Sequence, residues 1–246
     1  MSEGRAAAFL LAAAFFPAFA GAAGGGDVKA LLKRAERVRE GFGEGVLTIR
    51  VTMEAPGAAP STARFEVALK GRARSRLKFL SPSDEGKYVV MAGNEAWLLL
   101  PGSKNPIRVP ASYRIRGGLS VAEISRLSFV DDYDAVMERE DDLDGRRCAV
   151  LRLLARKGVA ASYPVVRVWV DEKEALYRKA VFLLASGRTA KVAAFDAYRR
   201  AGGILVLDRM TITDALRPGT TVVEYLEYDR RPVPDAWFDP KTARGD

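Results

Sequence analysis

The chain has 246 residues, 48% hydrophobic and 28% charged, with 39 Lys and Arg against 31 Asp and Glu for a formal charge of +8. Those fractions belong to a globular protein and exclude wholesale disorder, collagen and coiled coil. The absence of histidine and a single cysteine, Cys148, exclude Ser-His-Asp and Cys-His catalysis, histidine-ligated metals and an internal disulfide.

Arg5 precedes an apolar run from Ala6 to Phe19, interrupted only by Pro17. Ala18-Phe19-Ala20 then supplies the small-x-small exit of a signal-peptidase site. Residues 1–20 therefore read as a secretory signal cleaved before Gly21, and 21–246 as one exported domain in the periplasm. The run is too short for a permanent span, and no later run approaches that length. Export makes anionic lipid head groups, rather than nucleic acid, the partner that a basic surface would meet. A merely solvated arginine-rich surface is the plainer alternative.

Val28, Leu31, Leu32, Ala35 and Val38 follow three-and-four spacing and predict a helix over Val28 to Arg39, ended by Gly41, Gly43 and Gly45. The pattern then changes to period two. Leu47, Ile49, Val51 and Met53 alternate with polar residues, as do Phe65, Val67 and Leu69, then Leu77 and Phe79. Tyr88 to Ala92 and Ala96 to Leu100 flank a Gly93-Asn94 turn. Val121, Ile124 and Leu127 have helical spacing after a permissive Gly117-Gly118 pair. Six further strands are expected over Cys148 to Leu154, Val165 to Asp171, Tyr177 to Leu184, Lys191 to Tyr198, Ile204 to Thr213 and Thr221 to Tyr228. About eleven strands in hairpin succession, with two helices, predict a mainly β (α+β) domain built on one strongly curved antiparallel sheet.

Asp131, Asp132, Asp134, Glu138, Glu140, Asp141, Asp142 and Asp144 form the densest acidic stretch. A calcium loop fits it loosely but fails at the twelfth position, Leu151, so it reads as a solvated loop with an Asp144-Gly145 turn. No serine sits in a nucleophile elbow, and Cys148 lies inside an apolar strand. No catalytic residue, cofactor or metal is expected. An incompletely closed barrel lined by Leu, Val, Phe and Trp would make a cavity for an apolar ligand, the alternative being that those residues simply fill a core.

Several strings in order carry a resemblance. Ser81-Pro82-Ser83-Asp84-Glu85-Gly86 is followed by Gly93-Asn94-Glu95-Ala96-Trp97 and Leu100-Pro101. Then come Val168-Trp169-Val170-Asp171, Tyr177-Arg178-Lys179, Gly202-Gly203-Ile204, Met210-Thr211-Ile212-Thr213-Asp214, Thr220-Thr221-Val222 and Val233-Pro234-Asp235-Ala236-Trp237-Phe238-Asp239-Pro240. From about Phe65 to Pro240 the chain resembles the outer-membrane lipoprotein-sorting protein family (LolA-like). It departs at Leu207, where the family pattern has a proline, and over Arg114 to Tyr133.

The resemblance implies a half-open β-barrel whose concave face is covered by helices, and non-covalent carriage of acylated lipoproteins or similar lipids toward the outer membrane. On that reading the ligand-binding face comprises Leu47, Ile49, Val51, Phe65, Val67, Leu69, Leu77 and Phe79, with Trp97 and Leu99 at its floor or rim. Val121, Ile124 and Leu127 would form a lid. The expected partners are lipoprotein or other lipid cargo, an inner-membrane exporter and an outer-membrane acceptor, with the protein monomeric. A sensor that detects lipids or mislocalised lipoproteins for a signalling partner is the alternative.

Overall fold

The computed structural model describes residues 25–244 apart from 42, 72, 94, 111–112, 117–118, 121–127 and 160. One α-helix, α1 (Gly25–Glu40), leads into a first run of strands: β1 (Glu44–Glu54), β2 (Ser61–Lys70), β3 (Arg74–Phe79), β4 (Tyr88–Ala92), β5 (Glu95–Leu99) and β6 (Ile107–Val109). Two short strands follow, β7 (Arg114–Arg116) and β8 (Leu119–Ser120). The second run is β9 (Tyr133–Leu143), β10 (Arg146–Ala155), β11 (Val165–Asp171), β12 (Tyr177–Leu183), β13 (Thr189–Ala201), β14 (Ile204–Asp214) and β15 (Thr220–Asp229).

Thirteen of these form a single antiparallel sheet in the order β6-β5-β4-β3-β2-β1-β15-β14-β13-β12-β11-β10-β9, while β7 and β8 pair apart as a ribbon. Each run is a meander of sequential neighbours, and the two are joined where β1 pairs with β15, from Val46 opposite Asp229 to Glu54 opposite Thr220. The sheet is curved but does not close, leaving β6 and β9 as free edges.

All eleven expected strands are present, and the expected count is corrected by the two edge strands, β6 and β9. The acidic stretch is thus a strand and not a loop. Tyr133, Ala135 and Met137 point into the core cluster while Asp134, Glu138 and Glu140 point out. Those carboxylates are neutralised by Arg156 (2.9 Å), Arg167 (2.7 Å) and Arg147 (2.7 Å). The turn at its end survives as expected, with Asp144 and Gly145 both at positive φ (54° and 76°), the geometry that a tight hairpin of right-twisted strands requires. A barrel is likewise corrected to an open sheet, and among the described residues only α1 is a helix over its concave side.

Alternation gives the sheet two packed sides. The large cluster on the inner side runs through both meanders and takes in Val28, Leu32 and Ala35 of α1, which crosses strands β9, β11, β12 and β14. Gly41 ends α1: its N–H reaches Arg37 O (3.1 Å), its φ is +70°, and a Cβ there would stand 3.0 Å from the Tyr228 ring. On the outer side the C-terminal tail crosses β1 to β5. Val233, Trp237 and Phe238 cover Val46 and Ala68, and Ala243 covers Tyr88, Val90 and Leu99.

Candidate functional site

The inner side of the first meander is built from facing rows. Leu47 pairs with Val67 and Val67 with Leu77; Ile49 pairs with Phe65 and Phe65 with Phe79. Phe65 and Phe79 meet edge to face with centroids 5.0 Å apart, the favoured arrangement of aromatic pairs. Leu47, Ile49, Val51, Phe65, Val67, Leu77 and Phe79 are all buried in one cluster, with Leu69 packed against it. Trp97 and Leu99 are not on this face, which corrects their expected place at its floor or rim. In the β4–β5 hairpin Met91 faces Ala96 and Val89 faces Leu98, and it is that parity which points inward. Trp97 and Leu99 pack outside with Tyr88, Val90 and Ala243. The lid residues Val121, Ile124 and Leu127, and the Gly117-Gly118 hinge, lie outside the described residues.

Two elements cover the inner side. Over the second meander lies α1, pinned by Glu36, which is fully buried. Arg39 donates to both of its oxygens (3.2 and 2.8 Å), Tyr177 Oη donates to Oε2 (2.9 Å) and the Phe129 N–H donates to Oε1 (3.1 Å). Every direction from which the charge could be stabilised is used, as a buried carboxylate requires. Burial, then the Glu36 charge, pushes the Tyr177 hydroxyl well above its ordinary pKa, so it remains a donor. Sequence reasoning missed Glu36, although its place four residues after Leu32, beside the apolar stripe of the helix, was a signal for it.

Over the junction of the meanders lies Leu119 of β8, which is 1% exposed. Leu47, Ile49, Val67, Met210, Val223 and Tyr225 surround it and leave a void of about 10 Å³, scarcely room for one water. Phe129, Val130 and Tyr163 fill the inner side further along. The apolar face is therefore occupied by the chain's own side chains, Leu119 and Ile115 among them from a ribbon that shares no hydrogen-bonded ladder with the main sheet.

At one end of this face the rows run out into an open cleft of about 410 Å³. Met53, Ser61 and Thr221 continue the inward rows of β1, β2 and β15, and the β14–β15 turn and Arg114 of the ribbon form its walls. Asp214 organises those walls. Its Oδ1 accepts the N–H groups of Leu216 (2.8 Å) and Arg217 (3.0 Å), and its Oδ2 lies 3.6 Å from Arg114 Nη2. Cys148 is remote from this region, buried on the outer side with Val150 and Trp169, and burial pushes its thiol up to about 11.

A family described as "-like: Uncharacterized protein" matches residues 71–242. A LolA superfamily protein from Nitrosomonas europaea is 26% identical with a TM-score of 0.80, covering 86% of this chain and 97% of its own. The chain is LolA-like, in the family whose model it matches. Two further LolA-like neighbours share the fold. One, assigned as an outer membrane lipoprotein-sorting protein domain from Vibrio parahaemolyticus, has 16% identity and a TM-score of 0.77 over 90% of this chain and 100% of its own. The other is a DUF1329 family protein from Desulfovibrio piger, with 22% identity and a TM-score of 0.74 over 87% and 97%. No curated protein matches the LolA-like chain in sequence.

Proposed function

We propose that this LolA-like protein is an exported, monomeric carrier that holds the acyl chains of lipoproteins or similar lipids against the inner face of its sheet. The observation carrying this reading is the apolar inner face of an unclosed sheet, covered at its junction by a ribbon outside the sheet's ladder. Withdrawing Leu119 costs no main-sheet hydrogen bond, and an entering acyl chain replaces the apolar contacts that Leu119 gives up.

The energetics suit a carrier. Ten buried methylenes contribute about 8 kcal/mol and association takes back at least about 4 kcal/mol. A lipid leaving a bilayer is already in apolar surroundings, so it gains little more. The protein holds such cargo moderately and passes it downhill from an inner-membrane exporter to an outer-membrane acceptor. Residues 1–20 serve as the cleaved signal for export to the periplasm, and no helix among the described residues is long and apolar enough to cross a membrane.

Leu119 and Leu99 give a matched test, each 1% exposed but on opposite sides of the sheet. Leu119→Ala opens space on the inner face and is expected to strengthen uptake of a fluorescent fatty-acid probe by the purified protein. Leu99→Ala creates its space under the C-terminal tail and should leave uptake unchanged. Identical uptake by both variants and the parent would remove the inner face from consideration, and failure of any form to bind the probe would end the carrier reading.

A further inference from the structure

We infer that the cleft at the end of the inner face seats the phosphate of a lipid headgroup, held between Arg114 of the ribbon and Arg217 of the β14–β15 turn. This rests on the carrier reading, which places acyl chains along the rows that lead into the cleft. Met53 and Thr221 are the last inward residues of β1 and β15, directly opposite one another. A chain lying on Ile49, Val51 and Val223 therefore brings its headgroup out between them, where the cleft opens.

The chemistry of the walls fits a phosphate. Arg217 lines the cleft and pairs with no carboxylate among the described residues. Arg114 Nη2 lies 3.6 Å from Asp214 Oδ2, an ion pair longer than a hydrogen bond. Transfer of Arg114 to a phosphate leaves Asp214 still satisfied, since its Oδ1 keeps both backbone N–H groups. Guanidinium forks match phosphate oxygens in pairs, and Thr221, on the inward row at the cleft, carries a further hydroxyl. Glu54 and Asp214 also line the cleft, so its formal charge is balanced. Recognition then depends on fork geometry at the phosphate and not on bulk positive charge.

The coupling is mechanical as well. Arg114 lies on β7, whose partner β8 carries Leu119. A headgroup that draws Arg114 toward itself pulls on the same ribbon whose leucine fills the acyl-chain site.

The test compares monomeric dioctanoyl phosphatidylglycerol with dioctanoylglycerol, which has the same chains and no phosphate, on the full-length mature protein. The phospholipid is expected to bind about tenfold more tightly or better, the scale of a charge-assisted contact. Arg217→Gln should erase that preference and leave dioctanoylglycerol binding as it was. Arg108→Gln, which removes an equal charge from the exposed β6 edge, should keep the preference. Inorganic phosphate should not displace the phospholipid at concentrations matching it; displacement would make the cleft a free-anion site and overturn the headgroup assignment. Equal affinity for the two lipids, or a preference that survives Arg217→Gln, overturns the proposal while leaving the carrier intact. Failure of both lipids to bind overturns both.

Discussion

Glu36 shows how much one residue decides in this fold. It joins α1 to Tyr177 on β12 and to the Phe129 backbone at the far end of the segment that begins with the ribbon. Removing it takes away the carboxylate that Arg39 pairs with, leaves the Tyr177 hydroxyl only the long 3.5 Å contact to Leu32 O, and removes the acceptor of the Phe129 N–H. Glu36→Ala should cost toward the lower end of about 3–5 kcal/mol, because Arg39 keeps 19% of its side-chain surface in water. The urea midpoint measures this, and a loss below about 1 kcal/mol would mean that the network contributes little. At this scale the sequence was only half readable. The inward parity of Leu47 through Phe79 followed from alternation, whereas Trp97 and Leu99 were placed at the floor or rim with no parity to support it. Size does not determine face: Ala96 and Leu98 point inward because the Gly93 turn fixes register, and the outward residues are large because the tail covers them.

Among the elements, the C-terminal tail is fastened by charge as well as by packing. Asp235 bridges Lys70 (2.9 Å) and Arg74 (2.7 Å), and Glu44 accepts the Val233 N–H (2.8 Å). Hydrogen bonds from Lys70 and then Arg74 hold Asp235 below its usual pKa, and the Val233 N–H does the same for Glu44. A carboxylate with a lowered folded-state pKa stabilises fully above its unfolded value and loses that contribution as pH falls through the folded one. The stability difference between the parent and Asp235→Asn should therefore be constant above about pH 5 and vanish toward about pH 2. Urea midpoints at several pH values check it, and a difference undiminished in strong acid would refute it. The strands themselves divide by position. Every strand of the main sheet with a neighbour on each side was evident from alternation or from apolar runs between turns, and both strands with a free edge were missed. An edge strand must repel other chains, so β9 carries carboxylates and β6 is three residues long. Those features also erase the hydrophobic signal by which a strand is recognised.

For the whole molecule, the long edge at β9 is its main hazard. Eleven residues of backbone stand open on one side, and Val136 and Leu154 are exposed nearby. The arginine-paired carboxylates of β9 keep water bound along that edge. Replacing Asp134, Glu138 and Glu140 together with serine should leave the fold in place but promote edge-to-edge association, seen as rising light scattering at concentrations where the parent stays clear. Scattering no greater than the parent's would show that the charges do not guard the edge.

The pairing of β1 with β15 also sets a timetable. The strand made first in the sheet waits for the strand made last, and nearly the whole chain must be synthesised before the two can meet. Until then the growing polypeptide is two unfinished meanders, and closing so large a loop is slow. The sheet therefore completes its pairing only after β15 has been made. That delay is an asset for any protein that must be threaded through a narrow channel before it folds.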